Sequence, residues 1–270
     1  MHPDILRWGP LHITSYGLML AIAFLVGTWL ALQESRRRGL EEDRMLTLIL
    51  VSLVAGILGA RALYVVEHIR DFRGTYLSVL ALWQGGLTLY GGIVGGTLVG
   101  VIAARRMGLP VWTASDALTP SLALGTMFGR VGCFLNGCCY GHPTKLPWGV
   151  VFPPDSFASI EFGPVPVHPA QLYFAAAGLV LFLAAWAARR RLRVPGTLFW
   201  GFVAAFALIR IPLDMTRVYE PEAVLLDTGA MQLTESQVTS LLIALFALLM
   251  IARLSRETRA SEAAPAQQES

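Results

Sequence analysis

Arg130 lies in the run Gly129-Arg-Val-Gly-Cys-Phe-Leu-Asn-Gly-Cys-Cys-Tyr-Gly141, near the end of a hydrophobic segment that begins near Leu118. A charge among residues apolar enough to cross a bilayer costs from roughly 2.5 to well over 10 kcal/mol, so it must face an interior cavity or meet an anion. Two further arginines, Arg61 and Arg210, also fall inside apolar segments, while carboxylates at similar depth are few: Glu67, and Asp214 one turn beyond Arg210. Such a surplus of embedded guanidinium predicts an anionic ligand, and the abundant anion of a bilayer is a phospholipid head group. Two guanidinium forks can hold a phosphodiester and the charge developing on a leaving phosphate, where lysine offers only point charges. Plainer roles compete: snorkelling to an interface, or pairing of Arg130 with Asp116 or Glu161 and of Arg210 with Asp214 at i,i+4.

Cys133, Cys138 and Cys139 share a seven-residue window, followed by His142. The ligand types suit zinc, but the spacing matches no standard pattern, and no metal is expected. On an oxidising side of a membrane Cys133 would pair with Cys138 or Cys139; otherwise the three serve as small buried hydrophobes. A second cluster, Trp83-Gln-Gly-Gly-Leu-Thr-Leu-Tyr-Gly-Gly-Ile-Val-Gly-Gly96, removes side chains from one helix region. It fits close helix packing, and equally an approach of lipid to the backbone at Gly91 and Gly92 with the Tyr90 hydroxyl in the cavity. Val167-His-Pro-Ala-Gln-Leu-Tyr173 opens another apolar run, where proline at a helix start is ordinary.

The elements that must carry these groups are read from composition. Of the 270 residues 55% are apolar and 14% charged, against about 25% charged in soluble domains, and the apolar residues come in bilayer-length blocks. The chain is predicted to be an all-α, polytopic membrane protein with about seven transmembrane helices, near 13–32, 46–66, 86–104, 118–138, 169–188, 196–214 and 236–254. The first block lacks a basic leader and a small-residue cleavage site, so it reads as a retained span. Thirteen basic residues, among them Arg36–Arg38, Arg105, Arg106 and Arg189–Arg191, fall on one side. Five (Arg7, Arg70, Arg73, Lys145 and Arg217) fall on the other. The positive-inside rule then puts the N-terminus outside and the C-terminus in the cytoplasm. The proline-rich segment 141–168 is expected to fold as a periplasmic-side cap on a single membrane domain, 1–254, with a disordered tail over 255–270. Nothing suggests a nucleic-acid partner or a cofactor.

In order along the chain, these motifs resemble the prolipoprotein diacylglyceryl transferases, over roughly residues 8 to 255. The resemblance rests on Gly9-Pro10, Ser15-Tyr-Gly-Leu-Met19, Gly85-Gly-Leu-Thr-Leu-Tyr-Gly-Gly-Ile93, Ser115-Asp116, Gly129-Arg-Val-Gly-Cys-Phe-Leu-Asn-Gly137, His168-Pro-Ala-Gln-Leu-Tyr173, and Arg210 with Asp214. It implies transfer of a diacylglyceryl group from phosphatidylglycerol to the lipobox cysteine thiol in a prolipoprotein signal peptide, in a bacterial cytoplasmic (inner) membrane. Arg130 and Arg210 are then the catalytic arginines, with Tyr90 and Cys138 at positions that assist the thiol. Tyr16, Gly91, Gly92, Asp116, Asn136 and Gln171 would shape the substrate pocket. The chain departs from the family pattern at four places: histidine is usual at Tyr90, asparagine at Cys133, glutamate at Cys138 and tyrosine at Phe206. Those departures keep open a phospholipid-binding relative with a thiol or redox role, and, further off, a transporter or channel with an anion path.

Overall fold

The computed structural model describes residues 4–8, 11–70, 72, 76–81, 85–219, 224–227 and 232–263. Gly9, Pro10, Arg73, Trp83, Gln84 and the end of the tail, 264–270, lie outside the described residues. Helices stand at all seven expected places: α1 (Ser15–Arg37), α2 (Glu42–Glu67), α3 (Leu89–Arg106), α4 (Val111–Asn136), α6 (Ala170–Ala188), α7 (Thr197–Asp214) and α8 (Glu235–Ala263). A short helix, α5 (Phe157–Phe162), lies between α4 and α6. Among the described residues six helices are long and apolar enough to cross a membrane. An all-α, polytopic membrane protein is therefore observed, and the exact count of seven is not confirmed, because five glycines and the terminal Arg105–Arg106 dilute the apolar content of α3. The helices expose large apolar side chains such as Leu25, Val94 and Leu242, as lipid-facing surfaces require.

Two features were not anticipated. Small antiparallel hairpins form from β1 (Asp4–Trp8) with β2 (Leu11–Thr14), and from β3 (Val224–Asp227) with β4 (Gln232–Thr234). Helix α8 also continues to Ala263, past the Ser255 at which a disordered tail is expected.

The chain divides into two compact units, Leu32–Ala117 on one hand and Met1–Ala31 with Leu118–Ser270 on the other. Within Leu32–Ala117, α2 and α3 pack glycine to glycine. A Cβ on Gly95 would lie 2.7 Å from the Ala55 carbonyl oxygen, and one on Gly59 3.0 Å from the Gly95 Cα. Backbones this close are the small-residue packing available where lipid removes the hydrophobic drive for helix association.

Buried Arg61 closes the loop between these helices. Its guanidinium donates to the carbonyls of Ser78 (2.6 Å), Val79 (2.8 Å), Gly85 (2.6 Å) and Gly86 (3.1 Å). It also lies 5.5 and 5.4 Å from the ring centroids of Tyr64 and Phe72. One of the three embedded arginines is therefore occupied by backbone and is not available to an anion. At the other end of the same unit, Arg38 pairs with Glu34 (3.0 Å) and with buried Asp116 (3.4 Å).

In the larger unit α6 packs on α7, and α7 on α8. A Cβ on Gly178 of α6 would stand 2.8 Å from the Met127 backbone nitrogen of α4, so these two also approach closely. Segment 141–168 is stitched to both flanks: the Gly141 amide donates to His168 O (3.0 Å), and the His142 amide to Thr216 O (3.0 Å). Phe152, Ala158 and Val167 form its small core, against Phe134, Tyr140, Val150 and Phe162.

Candidate active site

The sequence after α4 builds the site by reversing direction. Gly137 and Cys139 adopt left-handed backbone (φ 76° and 63°), Cys139 being the non-glycine residue with positive φ among those described. This tight return brings the three cysteine sulfurs within 4.8 Å of one another. All three are free thiols, so the disulfide that Cys133 could form on an oxidising side is not present here. Fully buried Gln171, in the first turn of α6, holds the turn by donating from Nε2 to Cys138 O at 2.7 Å. Its Oε1 is a buried acceptor without a hydrogen-bond partner. The Cys138 thiol points back to the Cys133 carbonyl, 3.8 Å away.

Arg130, seven residues before Gly137 on α4, lays its guanidinium 4.5 Å from the centroid of buried Phe174, a cation–π contact. It is within electrostatic range of Arg217, Cys133, Cys139 and Arg210. Arg210 reaches Asp214 through Nε at 3.2 Å, and Arg217 lies 4.0 Å from the other oxygen of that carboxylate. Asp214 is buried and also accepts from Ser236. Two guanidinium groups, of Arg210 and Arg217, therefore share the Asp214 carboxylate, and Arg130 lies within electrostatic range of both.

Arg217 was placed by sequence among ordinary loop charges. The signal that could have found it is spacing: Arg210 and Arg217 stand four residues before and three after Asp214, so a helix end presents both to one carboxylate. Arg217 is also tied to Tyr219, with Nη1 3.4 Å from the hydroxyl and the guanidinium 5.0 Å from the ring centroid. Burial, then the bond to Asp214, pushes the Tyr219 phenol above its ordinary value of 10.0, so it remains a donor.

A cavity of about 390 Å³ opens beside this cluster, lined by Cys138, Cys139, Tyr140, Phe157, Glu161, Val218 and Tyr219. Its wall is fixed by a bond from the Tyr140 hydroxyl to Glu161. Burial first, and that bond second, push the Tyr140 phenol up to about 12. The Cys139 thiol is held below its ordinary 9.0, chiefly by hydrogen bonds from Cys133 and Cys138 and then by the charges of Arg217 and Arg130. Beyond Arg130, Tyr16 packs on Gly132, where a Cβ would stand 3.0 Å from its ring.

Of the expected site residues, Tyr16, Arg130, Asn136, Cys138, Gln171 and Arg210 belong to the unit just described, and Tyr90, Gly91, Gly92 and Asp116 to Leu32–Ala117. There, Tyr90 is 60% exposed in the first turn of α3. Gly91 and Gly92 face α2 at Gly59 and Gly56, so helix packing uses both. Asp116 is engaged by Arg38.

Comparison with known proteins was consistent over the length of the chain. A family model described as prolipoprotein diacylglyceryl transferase matches residues 3–253. Proteins named phosphatidylglycerol–prolipoprotein diacylglyceryl transferase are similar to it. The one from Geobacter sulfurreducens is 36% identical over 227 residues, 82% of this chain and 83% of that protein. The one from Solidesulfovibrio magneticus is 34% identical over 267 residues, 96% and 97% of the two chains. The one from Clostridium tetani is 33% identical over 218 residues, 80% and 86%.

Proposed function

The chain belongs to the prolipoprotein diacylglyceryl transferase family, and from that premise we propose that it moves the diacylglyceryl group of phosphatidylglycerol onto the lipobox cysteine thiol of a prolipoprotein. The observation that carries this reading is the arginine cluster: Arg210 and Arg217 on the carboxylate of Asp214, with Arg130 within electrostatic range of both.

The chemistry asks for that arrangement. A thiolate sulfur attacks the glyceryl carbon that bears the phosphodiester oxygen, the carbon–oxygen bond breaks, and its electrons leave on glycerol 1-phosphate. The phosphodiester enters with one negative charge and the monoester departs with up to two, so stabilisation is needed most where the second charge appears. Fixed guanidinium groups in a site shielded from water supply it without reorganising. Asp214 keeps the cluster folded without cancelling it. Arg130, stacked on Phe174, is aligned for one phosphate oxygen, and Arg210 with Arg217 for the others. Tyr16, Asn136 and the open Oε1 of Gln171 are assigned to the glycerol hydroxyls of the head group, and Cys138 to assistance at the thiol. The protein works in the bacterial cytoplasmic membrane with its N-terminus outside, a reading supported by its arginine-rich helix ends, and segment 141–168 caps the site on the periplasmic side.

The test is complementation. Expressed in cells depleted of their own transferase, the chain should convert a lipoprotein precursor to its diacylglyceryl form, seen as a mass gain and faster migration. Arg130→Ala and Arg210→Ala should abolish the conversion. A membrane-inserted chain that leaves the precursor unmodified would remove the reading.

A further inference from the structure

We infer that Cys133, Cys138 and Cys139 form a three-thiolate site for a zinc-class cation, with an open fourth position on the cavity side that takes the thiol of the incoming peptide. The second half of this statement rests on the transferase reading; the metal site itself does not.

Geometry carries the first half. Three thiols of one turn have their sulfurs within 4.8 Å of one another. Three sulfurs at about 2.3 Å from a tetrahedral cation stand roughly 3.8 Å apart, so closing the site needs side-chain adjustments of about an ångström. The turn that gathers them is held by Gln171 on Cys138 O and by the Cys138 amide on Cys133 O at 3.2 Å. Soft thiolates select zinc and its congeners over hard cations. Charge supports the same assignment. A divalent cation with three thiolates carries one negative charge, and the guanidinium groups of Arg130 and Arg217 lie within electrostatic range of Cys139.

The fourth position follows from what is missing and from where the sulfurs face. Among the described residues the cluster contains three cysteines and no fourth ligand, and His142, the residue sequence offers for that role, is not part of it. Three protein ligands with one open position is the form of a working zinc site and not of a structural one. Two of the three cysteines, Cys138 and Cys139, line the cavity of about 390 Å³. The reaction needs a thiolate, and this chain has Tyr90 and Cys138 where its family usually places histidine and glutamate. In the open position a peptide thiol loses its proton to solvent and binds as thiolate. That sulfur then forms the bond to the glyceryl carbon, the carbon–oxygen bond breaks with its electrons on the phosphate, and the resulting thioether, a poor ligand, leaves the cation.

The experiment uses the full chain in detergent, reduced and depleted of metal, titrated with cobalt(II). One equivalent should saturate a sulfur-to-cobalt charge-transfer band in the near ultraviolet. Cys133→Ser and Cys139→Ser should weaken binding by at least about tenfold. Because a serine variant can fail to fold, the native chain is also alkylated with and without zinc, and zinc should protect all three thiols. A peptide with the lipobox cysteine should shift the cobalt spectrum, and the same peptide with serine should not. No band, equal alkylation with and without zinc, or recovery of the chain with Cys133 in a disulfide would overturn the site. Cobalt binding with no response to the cysteine peptide would overturn the fourth-ligand role. Full lipidation by metal-free protein would sink the metal's part in catalysis and leave the transferase standing, whereas metal binding without lipidation would do the reverse.

Discussion

Arg217 offers the sharpest perturbation, because the folded arrangement is what brings it into the site. Arg217→Ala removes a guanidinium that is 17% exposed and lies 4.0 Å from Asp214. The carboxylate is not orphaned, since Arg210 at 3.2 Å and Ser236 remain, so the variant should insert and fold. The loss falls on the departing phosphate. At an effective dielectric constant of about 20, one unit charge at roughly 6 Å contributes about 2.8 kcal/mol, which is on the order of a 100-fold change in rate. Asp214 would also neutralise a larger share of Arg210, which acts in the same direction. Because the second negative charge exists only as the carbon–oxygen bond breaks, the effect should appear in kcat more than in KM. Arg217→Lys retains the charge without the fork and should stay within about tenfold of the native rate. The assay is lipidation of a lipobox-cysteine peptide by purified protein with phosphatidylglycerol in mixed micelles, read by mass. A kcat for Arg217→Ala within about threefold of the native value would refute the reasoning.

The other expectations concern the framework. Gly95→Ala places a Cβ 2.7 Å from the Ala55 carbonyl oxygen, so α2 and α3 must separate; a loss of about 1–3 kcal/mol should lower the melting temperature in detergent, and an unchanged melt would contradict the packing. Arg61→Lys should fail nearly as badly as Arg61→Ala, since one ammonium cannot satisfy four carbonyls while stacking on two rings; a native yield of folded Arg61→Lys would argue against the hub. For Tyr140 the phenol is raised from 10.0 to about 12. The folded state therefore favours its protonated form, and that stabilisation is present below pH 10 and lost as pH rises through about 12. The difference between native and Tyr140→Phe tyrosinate absorbance should centre near pH 12, and a midpoint near 10 would contradict it.

Helices were legible because a bilayer imposes a length and a composition that short windows detect, and the arginines because charge in such windows has few innocent uses. The third span was the weakest, since the glycines that let α3 approach α2 also thin its hydropathy. What sequence could not supply was convergence. The spacing of Cys133, Cys138 and Cys139 fits no ligand pattern, yet left-handed turns at Gly137 and Cys139 fold it into one cluster. Arg61 looked like Arg130 in one dimension, but four backbone carbonyls occupy it. Arg217 looked like a loop charge, and the end of α7 turns it back onto Asp214. Asp116 and Gly91–Gly92 were read as pocket residues from their motifs, and the structure adds packing partners that the motifs do not reveal: Arg38 for Asp116, and α2 for the glycines.

The most direct measurement of the central claim follows both products at once. Purified chain, phosphatidylglycerol and a lipobox-cysteine peptide should yield diacylglyceryl thioether and glycerol 1-phosphate in equal amounts, with neither formed by Arg130→Ala or by a serine peptide. Folded, membrane-competent protein that releases neither product, or that releases glycerol 1-phosphate without forming the thioether, would contradict it.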